Sequence, residues 1–132
     1  MRNLLRLVEQ DPILRDIVNP SLPTARWQAR FEPAVDVVET PEGWTLILEV
    51  PGVPRDALSL KLDGTRLSVR GTKPERVGKA RVAERETGPF LREFILPFQV
   101  RAEAITAHLA DGVLTVTLPR SGAGGAQQIP VT

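Results

Sequence analysis

The chain has 132 residues, 42% of them hydrophobic, with 17 basic and 16 acidic side chains for a net charge of +1. That length and balance fit one domain with a packed core, and they supply no bulk field to recruit nucleic acid or an anionic membrane. With no cysteine and a single histidine, His108, disulfides, thiolate catalysis and cysteine- or histidine-rich metal sites are excluded.

The first 30 residues differ from the rest, with helical spacing up to Asn19-Pro20 and then an extended spacer, Ser21-Leu22-Pro23-Thr24. Leu4, Leu5 and Val8 share one helical face with Leu7 beside it, and Asp11-Pro12 offers an N-cap followed by proline at the first helical position. Ile13, Leu14, Ile17 and Val18 continue as a short amphipathic stretch up to Asn19-Pro20. Two such short helical pieces are marginal alone in water and need a partner surface. No run approaches the 18 or so apolar residues of a membrane span. The stretch 3–9 is too short, and too interrupted by Arg6, for a signal-peptide core, so the chain reads as cytoplasmic.

From Phe31 the period switches to two. Val35 and Val37 alternate around Asp36, and Trp44, Leu46, Leu48 and Val50 share one face until Pro51-Gly52. Leu58, Leu60 and Leu62 alternate up to the turn signal Asp63-Gly64, after which Leu67 and Val69 resume. The segment 71–88 is mostly charged, with one short strand expected near 81–86. A strand from Phe90 to Leu96 ends at Pro97. Ile105, Ala107 and Leu109 then alternate up to Asp111-Gly112, and Leu114, Val116 and Leu118 close at Pro119. Seven or eight short strands without a long helix predict an all-β sandwich. The expected organisation is an arm over 1–32, a sandwich over 33–119 and an extension over 120–132. That extension opens with linker composition at 121–126 and carries Ile129-Pro130-Val131, whose proline is tolerated on an edge strand.

Candidates for chemistry are few. His108 has no nucleophile and carboxylate in a recognisable local arrangement, which favours an ordinary surface histidine. The four serines lack a Gly-x-Ser-x-Gly elbow. Glu84 and Glu86 flank Arg85 at strand spacing, which suggests ion pairing. Gly122-Ala123-Gly124-Gly125 precedes only seven residues, one a proline, and so cannot open the helix that a phosphate cradle needs. Lys73, Arg76, Lys79 and Arg81 make a basic loop without aromatic residues for base stacking. No enzyme, cofactor, metal, nucleic-acid or membrane function is expected; apolar surface without chemistry remains.

Three stretches carry a family resemblance. Ala107-His108-Leu109-Ala110-Asp111-Gly112-Val113-Leu114 resembles the Ala-x-x-x-Asn/Asp-Gly-Val-Leu signature of the small heat shock proteins, the α-crystallin-type chaperones. Gly88-Pro89-Phe90-Leu91-Arg92-Glu93-Phe94-Ile95-Leu96-Pro97 is similar to that family's Gly-x-Phe-x-Arg-x-Phe-x-Leu-Pro strand, and Ile129-Pro130-Val131 to its Ile-x-Ile/Val tail motif. The resemblance covers roughly residues 33–131. It implies an immunoglobulin-like sandwich that dimerises by strand exchange, with Arg81, Val82, Glu84, Arg85 and Glu86 in the exchanged strand. It also implies that Arg92 sits in a buried interface ion-pair network, with Glu84 or Glu86 as its partner.

The same resemblance places Ile129 and Val131 between the strand of Leu58, Leu60 and Leu62 and that of Ile105, Ala107 and Leu109. Ten residue steps from Pro119 to Ile129 span at most about 36 Å, enough to dock on the same subunit or on a neighbour. The function implied is an ATP-independent holdase for unfolding proteins, working upstream of ATP-dependent chaperones. Client contacts are expected on Leu4, Leu5, Leu7, Val8, Ile13, Leu14, Ile17, Val18 and Trp27. The alternative is a co-chaperone or adaptor of the CS-domain type, which shares the sandwich but should lack both the Asp-Gly-Val-Leu run and the tail motif.

Overall fold

The protein is described by a computed structural model at residues 29–121 and 127–132. The expected client contacts from Leu4 to Trp27, and most of the linker, lie outside the described residues. Among the described residues eight strands form: β1 (Val35–Thr40), β2 (Gly43–Glu49), β3 (Leu58–Asp63), β4 (Arg66–Lys73), β5 (Gly88–Ile95), β6 (Thr106–Ala110), β7 (Val113–Pro119) and β8 (Gln127–Ile129). They make two antiparallel four-stranded sheets, ordered β1-β2-β7-β6 and β5-β4-β3-β8. The architecture is the all-β sandwich expected from the alternating pattern, in the immunoglobulin-like form that the resemblance implies. Among the described residues no helix is long and apolar enough to cross a membrane.

Alternation decides which side chains meet, because successive strand residues point to opposite faces. Leu46, Leu48, Leu114, Val116 and Leu118 project from one sheet against Leu60, Leu62, Leu67, Val69, Phe90 and Phe94 of the other, all fully buried. Val50, Val53, Leu96 and Val100 close the ends of this core from the connections. The turn signals behave as read. Asp111 and Gly112 both have positive φ (54° and 75°), which a two-residue hairpin between Ala110 and Val113 needs to match strand twist.

Two expectations are corrected, and two single-turn 3-10 helices, Arg55–Ala57 and Ala102–Ala104, lie in stretches for which the sequence carried no reading. Ile105 caps the second of these rather than opening β6. Most important, 81–86 forms no strand in the subunit, and its residues are exposed. The reason is physical: both faces of the stretch are charged, Val82 sharing one with Glu84 and Glu86 and Ala83 the other with Arg81 and Arg85, and Val82 is 75% exposed. A strand needs a neighbouring edge to satisfy its backbone, and this stretch pairs with none of its own.

Candidate functional site

The sandwich has two places where sheet edges face each other, and chain segments from outside the sandwich cross both. At the first, β3 of one sheet lies beside β6 of the other, and the tail bridges them. β8 runs antiparallel to β3 with Ile129 opposite Leu60, Lys61 opposite Gln128 and Leu62 opposite Gln127. Pro130 then turns outward, and Val131 bridges in parallel to Ala107. The Thr132 N–H donates to the Ala107 carbonyl at 2.9 Å, and the Leu109 N–H donates to the Thr132 carbonyl at 2.8 Å. Thr132 Oγ1 adds a bond to the Ala107 carbonyl at 3.0 Å.

The missing donor of Pro130 costs nothing here, because the proline is exposed between two bridged positions. Ile129 is 4% exposed and joins the core, while Val131 is half-buried against it. Of the residues expected to form the groove, Leu60 and Leu62 pair with the tail, Ala107 and Leu109 meet Val131 and Thr132, Leu58 lines a cleft with the tail motif, and Ile105 is buried in the core. Within the single subunit the tail lies along its own β3 and β6. A cleft of about 600 Å³ runs beside it, lined by Arg55, Asp56, Leu58, Ser59 and the three tail-motif residues. His108 is exposed on β6, with Nδ1 3.4 Å from Thr132 Oγ1.

At the second edge, the chain before β1 lies along β5. Phe31 bridges in parallel to Phe90, their rings 5.5 Å apart, and the Arg30 N–H donates to the Pro89 carbonyl at 2.8 Å. Arg92 sits between Phe90 and Phe94 on the inward face of β5 and is 6% exposed. Its Nη1 donates to Glu32 Oε2 at 2.8 Å, its guanidinium carbon lies 5.8 Å from the centre of the Phe94 ring, and its Nε has no hydrogen-bond partner. Burial lowers the guanidinium's pKa, and the Glu32 carboxylate opposes that shift. Within the subunit the partner of Arg92 is therefore Glu32, not Glu84 or Glu86. Those two line a neighbouring cleft of about 380 Å³ with Phe31, Glu32, Pro33 and Lys73.

The ends of the 74–87 loop are clasped to this edge. Arg30 pairs with Glu75, Thr87 Oγ1 donates to Glu75 Oε2 at 2.9 Å, and Arg76 Nη2 donates to the Arg85 carbonyl at 2.8 Å. The Thr87 hydroxyl first, and the Arg30 guanidinium second, hold the Glu75 carboxyl below its ordinary value of 4.5. Gly88 is favoured by its φ of +94°, which L side chains rarely adopt, and the Arg30 side chain crosses over it, with Nη1 2.7 Å from where a Cβ would stand. Sequence reasoning missed Arg30, Glu32, Glu75 and Thr87. All four act across chain separations that periodicity does not register.

Neither edge assembles a reaction centre. Among the described residues no group of three or more histidine, aspartate or glutamate side chains could hold a metal ion. What both edges offer is backbone and apolar surface covered by short, separately tethered segments.

Comparison with known proteins agrees with this arrangement. The Hsp20/alpha crystallin family profile matches residues 36–132. The 16.0 kDa heat shock protein, peroxisomal, of Oryza sativa subsp. japonica is 35% identical over 123 residues, covering 85% of this chain and 84% of the relative. Heat shock protein 16.0 of Schizosaccharomyces pombe superposes with a TM-score of 0.70 at 27% identity, over 83% of this chain and 88% of that one. A small heat-shock protein of Xylella fastidiosa, described as having a distinct high order structure, gives 0.62 at 30% identity over 79% of this chain and 99% of that one. The chain belongs to the Hsp20/alpha crystallin family, the small heat shock proteins.

Proposed function

We propose that the protein is an ATP-independent holdase that binds unfolding proteins through apolar surface and keeps them from aggregating. It is not an enzyme and uses no cofactor. One observation carries the reading. The groove between β3 and β6 is apolar, and a short tethered segment of the chain covers it. Full burial of two side chains such as Ile129 and Val131 is worth at most about 3–6 kcal/mol before ordering costs. That is enough to hold the tail and little enough to release it. A released groove, with the apolar residues of the arm, competes with aggregation for the unfolded client.

The working unit in this reading is a dimer. The 81–86 stretch, exposed and outside any strand in the subunit, adds to the edge of a partner's β1, which among the described residues pairs in its sheet with β2 alone. Arg81, Val82, Glu84, Arg85 and Glu86 then lie in the interface beside Arg92. Trans docking of the tail builds higher assemblies, in keeping with the distinct high order structure of the Xylella fastidiosa protein. The other partners are non-native proteins in the cytoplasm and the ATP-dependent chaperones that refold them, with no nucleic acid or membrane.

The test is nucleotide-free. A heat-labile enzyme warmed with an equimolar amount of this protein should show suppressed light scattering. Scattering that rises as fast as in the enzyme alone overturns the holdase reading.

A further inference from the structure

The tail leaves the sandwich through a fixed point. After β7 ends, the Arg120 N–H donates to the Glu42 carbonyl at 2.7 Å and the Ser121 N–H to the Gln99 carbonyl at 2.8 Å. The Arg120 guanidinium carbon lies 4.9 Å from the centre of the Phe98 ring, and its Nη2 lies 3.3 Å from Glu39 Oε1. Phe98 in turn meets Trp44 edge-on, with ring centres 5.7 Å apart, and Trp44 is part of the core. A stack of Trp44, Phe98 and Arg120 thus ties the first residue of the tail to the centre of the fold.

The tie limits where the tail can go. Six residue steps separate Ser121 from Gln127, a reach of at most about 22 Å. From that root the subunit's own groove is within range, and the tail occupies it. Opening the stack together with the backbone bonds of Arg120 and Ser121 that it shields frees two further residues, adds about 7 Å, and removes the fixed exit direction. The stack can open without disturbing the core, since the Arg120 side chain is 45% exposed and its ion pair weakens with salt.

We infer that Arg120 is a positioning residue that selects docking of the tail on its own subunit. Stacked on Phe98, it directs Ile129 and Val131 to the adjacent groove. Unstacked, it lets them reach the groove of a second copy. The inference rests on the tail-and-groove reading above and adds the residue that sets its geometry.

The chain has no cysteine, so an engineered pair reports docking cleanly. Lys61 and Gln128 lie opposite each other in antiparallel register, where Cα separations suit a disulfide. Lys61→Cys with Gln128→Cys in one chain reports self-docking. The two single variants, tagged to differ in mass and mixed, report docking between chains. The parent background should link mainly within one chain. Arg120→Ala should raise linkage between chains about threefold to tenfold, the scale of one cation–π contact plus one exposed ion pair. Arg120→Lys, which keeps a cation over the ring, should stay near the parent. An unchanged partition in Arg120→Ala, with an unchanged melting temperature, overturns the inference. Absence of any linkage, in either arrangement and every background, overturns the tail-docking reading itself.

Discussion

Ile129 lies directly opposite Leu60 in antiparallel register, and its side chain is buried as deeply as the core residues around it. A residue 69 positions along the chain therefore completes the edge of β3. Thr132 does the same for β6 through backbone bonds to Ala107 and Leu109. One tail thereby bonds to both sheets at this edge.

Such a tail has an unusual response to truncation. A core isoleucine shortened to alanine costs about 2–5 kcal/mol, but a tethered segment can leave its groove instead of enduring a cavity. The loss is then capped at the free energy of docking. Ile129→Ala with Val131→Ala should lower global stability by no more than about 3 kcal/mol. It should also remove hydrogen-exchange protection at the Leu109 and Thr132 amides. Protection retained at both amides would show that the tail is held by something other than these two side chains.

Much of this was legible in the chain because period-two alternation is a local property. Leu46 and Leu48, or Leu60 and Leu62, announce their face within a few residues, and Asp111-Gly112 announces its turn. The groove was legible through the tail motif. The network around Arg92 was not, because Glu32 lies 60 residues away and alternation does not say which distant charge an arginine meets. Nor was the state of 81–86, whose conformation depends on which edge it meets and not on its own sequence. The Trp44–Phe98–Arg120 stack joins β2, the connection after β5 and the end of β7, so no window of sequence contains it.

The Arg92–Glu32 pair is lopsided, and its two halves should respond differently. Arg92 is 6% exposed, whereas the Glu32 side chain is 57% exposed. Removing Glu32 strands a buried cation whose Nε already lacks a partner. Removing Arg92 returns a carboxylate to water. Under conditions that keep the subunit monomeric, Glu32→Ala should cost about 1–3 kcal/mol, less than a fully buried pair because Glu32 is half in solvent. Arg92→Met should cost less than about 1 kcal/mol. Denaturant midpoints give both values, and the opposite ranking would contradict the role assigned to Glu32.

Acid should loosen the loop clasp. The Glu75 carboxyl titrates below its ordinary value of 4.5 because Thr87 and Arg30 favour its charged form. A group with a lowered folded-state pKa stabilises above its unfolded pKa, and that contribution is lost as pH falls through the folded value. Exchange protection at the Arg30 amide, bonded to Pro89, should therefore fall on the acid side of 4.5. In Glu75→Gln protection should be lower at neutral pH and show no such acid step. An identical acid step in that variant would assign the transition to another carboxylate.

Gly43 tests how closely β2 and β7 approach near the root of the tail. It lies opposite Pro119, and a Cβ on it would stand 2.0 Å from the Leu118 carbonyl oxygen. Both groups belong to the backbone, so no rotamer change can relieve the clash and the strands must part. Gly43→Ala should cost about 3 kcal/mol. Gly64, at a φ of +64° with open space around its Cβ, supplies the contrast: Gly64→Ala should cost only the roughly 1–2 kcal/mol of left-handed backbone. Parting the strands at Gly43 also moves Glu42, whose carbonyl holds the Arg120 amide. Gly43→Ala should therefore shift tail cross-linking toward neighbouring chains at temperatures where the sandwich is still folded, and Gly64→Ala should not.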